Sequence, residues 1–209
     1  TPSANWHGSE TMTATVTANG QTASRNFTIT VTPQDDAPTL APINNFSMQE
    51  DSSKAITLVG NDIDGDSLTY SVTSGATNSK ISIAINSNQV TFTPSADWHG
   101  SETMTATVTA NGQTASRDFT ITVTPQDDAP TLAPINDFSI QEDSPKTITL
   151  EGNDVDGDTL IYSVTSGATH SKINIAINSN QVTFTPSANW HGSETMTATV
   201  TANGQTASR

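Results

Sequence analysis

The sequence predicts an all-β protein built from tandem seven-stranded antiparallel β-sandwiches with a period of 92 residues. Three observations carry that expectation. TPSANWHGSETMTATVTANGQTASR at 1–25 returns from Thr93 with Asp97 in place of Asn5, and returns unchanged from Thr185, which fixes the period. Residues 37–117 and 129–209 differ at 11 of 81 positions, mostly mildly, as in Ile63 against Val155. The third observation is period-two alternation, the signature of strands buried on one face.

Each element follows in turn. Met104, Ala106 and Val108 alternate with Thr103, Thr105, Thr107 and Thr109, and Phe119, Ile121 and Val123 alternate with Thr120, Thr122 and Thr124. Between the two runs lies Asn111-Gly112, a strong hairpin signal because both central positions of a type I′ turn need φ > 0. Further strands read at Phe46–Gln49, Ala55–Val59, Leu68–Thr73, Lys80–Ile85 and Gln89–Thr93, the last two joined across Asn86-Ser87-Asn88. Seven short strands per period, without a helical repeat, indicate an immunoglobulin-like sandwich. Trp98, with its equivalents Trp6 and Trp190, is the expected packing anchor at the end of the sandwich.

If the PQDDAP stretch at Pro33–Pro38 and Pro125–Pro130 is a linker, the domains are 1–36, the C-terminal part of a preceding repeat; 37–128, a complete repeat; and 129–209, a repeat lacking its last strand. A window of a longer array is the simpler account of that register. The alternative is an extracellular filament in which Asn26–Pro33 of one subunit completes the sandwich of an identical subunit.

Composition narrows the function classes. The formal charge is −14, with 21 acidic and 7 basic side chains and no basic cluster, so nucleic-acid binding is excluded. No apolar run approaches the roughly 18–20 residues that cross a bilayer, so membrane insertion is not expected. There is no cysteine, and disulfides do not hold the repeats together.

The acids are grouped. Asn61-Asp62-Ile63-Asp64-Gly65-Asp66 recurs as Asn153-Asp154-Val155-Asp156-Gly157-Asp158, and Gln49-Glu50-Asp51-Ser52 recurs as Gln141-Glu142-Asp143-Ser144. With Asp35-Asp36 and Asp127-Asp128 of the linkers, each repeat has three acidic groups on expected turns or strand ends. Alternating aspartates around a glycine bring several carboxylates to one point, and their oxygens suit a hard cation with six to eight ligands. Calcium fits better than magnesium, which holds its waters more firmly, and zinc lacks cysteine or clustered histidine. DxDGD begins like an EF-hand loop, but no glutamate follows at the twelfth position.

DDAP, a strand ending in a glutamate-bearing turn, then NDxDGDxLxY, together resemble the cadherin-like, immunoglobulin-like tandem repeats of large bacterial surface adhesins. The resemblance covers essentially the whole repeat. It implies calcium bound between successive repeats, with Glu50, Asp127 and Asp128 meeting Asp154 and Asp156. Asp35 and Asp36 would meet Asp62 and Asp64 in the same way. Asp66 and Asp158 become extra ligands, and Glu142 is the next repeat's counterpart of Glu50. The family's Asp-Arg-Glu triplet is missing, and Glu102 stands in for it.

The resemblance implies a structural extender of a secreted or cell-surface adhesin, a rod rigidified by calcium and lying outside the cell. Its partners would be neighbouring repeats, with surface glycans gripped through other domains. A polysaccharide-binding module is the second alternative, and ice binding by the outward threonine rows a weaker one. Catalysis is not expected, since the His99-Gly100-Ser101-Glu102 segment appears in every copy and chemistry in each link of an array has no rationale.

Overall fold

A computed structural model describes residues 1–209. It contains no helix. In chain order the strands are β1 (Gly8–Ala18), β2 (Gln21–Val31), β3 (Thr39–Leu40), β4 (Phe46–Gln49), β5 (Lys54–Thr57), β6 (Gly60–Asn61), β7 (Thr69–Ser74), β8 (Ile81–Asn86), β9 (Gln89–Pro94), β10 (Gly100–Ala110) and β11 (Gln113–Thr124). They continue as β12 (Thr131–Leu132), β13 (Lys146–Thr149), β14 (Gly152–Asn153), β15 (Ile161–Ser166), β16 (Ile173–Asn178), β17 (Gln181–Pro186), β18 (Met196–Ala202) and β19 (Gln205–Ser208). The chain divides into two compact units, Thr1–Pro125 and Gln126–Arg209. The second linker therefore travels with the repeat that follows it.

In the first unit one sheet has the order β4-β11-β10-β7 and the other β5-β9-β8, with a short β3-β6 pair beside them. Alternation puts Met104, Ala106 and Val108 of β10 inside, each 0% exposed, while the threonines between them face outward. Phe46, Phe92 and Phe119 meet at centroid distances of 5.8–6.1 Å, an aromatic cluster joining the two sheets. Asn111 (φ 43°) and Gly112 (φ 85°) form the expected turn with two positive φ values. Every pairing is antiparallel except one: β4 runs parallel to β11, from Ile121↔Phe46 to Thr124↔Gln49. The β3-β6 pair was not expected either, because two residues carry no readable period.

The second unit repeats the plan. Its sheets run β13-β17-β16 and β15-β18-β19, with β12-β14 matching β3-β6. Leu132, Leu150, Val182, Phe184, Ala198 and Val200 form its core. Phe138–Gln141, equivalent to β4, makes no ladder.

Residues 1–36 form the β1-β2 hairpin and the first linker. The hairpin has the register of β10-β11, residue for residue, from Gly8↔Val31 to Ala18↔Gln21. Its Val16, Phe27 and Ile29 are exposed, whereas Val108, Phe119 and Ile121 at the same positions of β10-β11 are buried.

Trp98 is half-buried and packs on the core as expected. Its ring lies over Gly100, where φ is +149° and an added Cβ would sit 2.8 Å from the indole.

Candidate metal centre

In the first unit the linker aspartates and the Asn61–Asp66 loop come together. The β3-β6 pair places Thr39, three residues after Asp36, opposite Asn61, immediately before Asp62. Thr39 Oγ1 adds a bond to the Asn61 carbonyl at 3.1 Å. Gly60 is required there, since a Cβ would stand 2.9 Å from the Tyr70 hydroxyl, which accepts from the Gly60 N–H.

The loop is organised by its first aspartate. Asp62 Oδ1 accepts from the N–H groups of Asp64 (3.0 Å) and Asp66 (3.2 Å), and Gly65 supplies the bend at φ 84°. The linker closes onto this loop through the Asp36 N–H, which donates to Asp64 Oδ2 at 2.7 Å. Asp35 is held from another direction. Gln113 Nε2 donates to its carbonyl oxygen (2.9 Å) and to its Oδ2 (2.8 Å).

The second unit reproduces the arrangement. Asp154 Oδ1 accepts from the N–H groups of Asp156 and Asp158, both at 3.1 Å, and the Asp128 N–H donates to Asp156 Oδ2 at 2.8 Å. Gln205 Nε2 binds the carbonyl oxygen and Oδ2 of Asp127, each at 2.8 Å, and Asn203 Nδ2 donates to its Oδ1 at 2.8 Å.

The electrostatics divide each pair of neighbouring aspartates. Amide donors from Gln113 and Asn111 hold the Asp35 carboxyl below the usual carboxylate range. Asp66 is pushed up, first by its contact with Asp35, then by desolvation and by the charges of Asp35, Asp62 and Asp64. Asp127 is lowered by Asn203 and Gln205, and Asp158 is raised by Asp127 in the same way. Such a pair is what a cation relieves, since it removes the repulsion between the carboxylates.

One oxygen in each loop lacks a donor. Asp62 Oδ2 and Asp154 Oδ2 are shielded from water and have no hydrogen-bond partner. A buried carboxylate oxygen without a donor is costly. The two oxygens recur at equivalent positions, and a hard cation is the partner their chemistry suits.

The glutamates among the expected ligands have their own surroundings. Glu50, just beyond β4, donates its N–H to the Thr124 carbonyl at 3.0 Å, and its Oε2 lies 3.6 Å from His99 Nδ1. Glu142 is exposed. Glu102 shares strand parity with Met104 and Ala106 and so points inward. It accepts from Ser74 Oγ (2.7 Å), Ser79 Oγ (2.6 Å) and the Lys80 N–H (2.6 Å). Burial alone would raise its pKa, but the Ser79, Lys80 and Ser74 donors together hold it below the usual range. Glu194 is served alike by Ser166, Ser171 and Lys172.

Comparison with known proteins bears on what carries these loops. Residues 35–124 and 127–209 each match the bacterial Ig domain. The chain belongs to the bacterial Ig domain family. It carries two tandem copies, and the bacterial Ig domain is a structural, non-catalytic module that typically stands outside the cell or at its surface. No curated protein matches the sequence.

Among solved structures, human protocadherin-24 EC1-2 is similar at 14% identity and a TM-score of 0.49, covering 84% of this chain and 94% of that one. The titin domains z1z2 in complex with telethonin give 11% identity and a TM-score of 0.36, covering 84% and 94%. An endo-fucoidan hydrolase of glycoside hydrolase family 107 gives 16% identity and a TM-score of 0.35 over the whole of this chain. The chain spans about a third (34%) of that hydrolase's length. No helix of the chain is long and apolar enough to cross a membrane.

Proposed function

We propose that the bacterial Ig repeats of this chain form an extender segment of a secreted or cell-surface adhesin-type protein, and that calcium held at each linker stiffens the segment. The observation that supports this reading is the donor set at each linker. In the first repeat Asp62 Oδ2 is buried and undonated beside Asp64 and Asp66, and Asp36 is tied to Asp64. In the second, Asp154, Asp156, Asp158 and Asp128 repeat the pattern.

The residues present fit calcium in charge and in oxygen chemistry. Asp36, Asp62, Asp64 and Asp66 would hold it in the first repeat; Asp128, Asp154, Asp156 and Asp158 would do so in the second. The ion supplies positive charge where carboxylates crowd, turning a repulsive joint into a cohesive one.

Extracellular calcium modules bind at about 10⁻⁴–10⁻³ M, so the segment is stiff outside a cell and loosened by chelation. The test combines a melting scan with small-angle scattering, each in millimolar calcium and in chelator. Calcium is expected to raise the transition temperature and narrow the distribution of dimensions. Superimposable scans together with unchanged scattering would remove the calcium rod from consideration.

A further inference from the structure

The turn of the β10-β11 hairpin and of its counterpart β18-β19 reads Ala-Asn-Gly-Gln in both repeats, at Ala110–Gln113 and Ala202–Gln205. A type I′ turn needs the Asn-Gly pair; it does not need the glutamine that follows. Yet Gln113 and Gln205 each spend one amide group on a single aspartate 78 residues earlier in the chain, binding its main-chain carbonyl and its side-chain oxygen at once. Two bonds to one residue fix both its backbone direction and its side-chain rotamer. In the second repeat Asn203 takes the remaining carboxylate oxygen. Both oxygens of Asp127 are then committed to amides of one turn.

We propose that Gln113 and Gln205, assisted by Asn111 and Asn203, are positioning residues of the calcium site: an amide clip that holds the first linker aspartate so that the second faces the metal-binding loop. The inference rests on the calcium reading given above and assigns different tasks to two adjacent acids. Asp35 and Asp127 are anchors, held by amides. Asp36 and Asp128 follow them directly, and their N–H groups reach Asp64 Oδ2 and Asp156 Oδ2. The clip thus acts on the loop through a short chain of contacts: glutamine amide to anchor, anchor to next residue, and that residue's N–H to the loop carboxylate. It also disposes of a charge problem. Asp35 lies against Asp66, and without amide donors the two carboxyls would face each other with nothing to orient either.

Gln21 stands at the same turn position of β1-β2, where the given sequence holds no linker aspartate ahead of it, and so serves as the substitution control. Calcium titration of the whole chain by calorimetry, with calcium chloride alone as the probe, separates the alternatives. Residues that orient metal ligands from outside the coordination shell typically change affinity 10- to 100-fold when removed. The Gln113→Ala/Gln205→Ala double variant is therefore expected to bind about tenfold more weakly or worse. Gln21→Ala is expected to match the unaltered chain. Gln113→Met/Gln205→Met keeps length and bulk but has no donor, and is expected to behave like the alanine pair. Unaltered affinity in the alanine pair, or recovery in the methionine pair, overturns the clip while leaving calcium binding intact. Absence of calcium binding in the unaltered chain overturns the calcium reading and the clip with it.

Discussion

Glu102 and Asp62 are two acids of one repeat drawn away from water, and their surroundings treat them in opposite ways. Glu102 lies on the inward face of β10 and meets donors at both oxygens, from Ser74, Ser79 and the Lys80 N–H. Asp62 uses Oδ1 to cap its own loop and leaves Oδ2 shielded and undonated. The first is complete as a folded element. The second keeps one shielded oxygen that no donor of the chain serves. Acids that look equivalent in a sequence are thus sorted by their supply of donors.

The largest effect expected from breaking this contrast is at Glu102. Glu102→Ala removes one charged acceptor from three donors; a hydrogen bond to a charged group contributes about 1.5–3 kcal/mol net, and water can serve part of the freed donors in the variant. A net loss of roughly 3 kcal/mol in the first repeat is expected in urea unfolding, the same with calcium as with chelator. A loss that appears only in calcium would make Glu102 a ligand.

Calcium itself comes next. At a hundredfold excess over its dissociation constant, a ligand specific for the folded state adds about 2.7 kcal/mol. Urea unfolding in calcium is expected to show that increment. Magnesium at the same concentration is expected to give clearly less, because it parts with its waters reluctantly. Equal effects from the two ions would point to general screening of a highly acidic chain.

Gly100→Ala probes the frame rather than the charges. It forces an alanine to φ +149° and brings its Cβ 2.8 Å from Trp98, so about 1–3 kcal/mol of strain is expected, read as a lower melting temperature. Retention of the parent melting temperature would mean that the indole is free to move aside.

The smallest effect is on the pH profile. Glu102 and Glu194 have folded pKa values below the ordinary 4.5, so they bind protons less readily when folded. Their stabilisation is present above about pH 4.5 and is lost as pH falls through the lower folded values. Glu102→Gln is expected to flatten the acid limb of stability in chelator. An unchanged slope would place the acid sensitivity in other carboxyls.

Much of this fold was legible because its signals are local. Threonine alternation gave β10 and β11, and Asn111-Gly112 gave their turn. What stayed hidden depends on residues far apart in the chain. The parallel β4-β11 pair joins Phe46 to Ile121, and nothing in either segment announces a parallel partner. The β3-β6 pair is too short to show a period.

The site divides along the same line. Its aspartates stood out by repetition, as Asp62-Ile63-Asp64-Gly65-Asp66 and the linker pair. The glutamine following each Asn-Gly turn also repeats, but a lone neutral residue in a turn gives no hint of a bond 78 positions away. For Glu102, even spacing from Met104, Ala106 and Val108 marks an inward side chain, but the three donors that meet it come from a loop and strand end more than twenty residues away.

The central claim is tested most directly by calorimetric titration of calcium into the unaltered chain and into the Asp62→Asn/Asp154→Asn variant. Asparagine keeps the Oδ1 that caps each loop and replaces the undonated oxygen with an uncharged amide. The account predicts saturable binding by the unaltered chain at about 10⁻⁴–10⁻³ M. It predicts no measurable binding by the variant, whose melting temperature in chelator is at least that of the parent. Undiminished binding by the variant, or none by the unaltered chain, would contradict it.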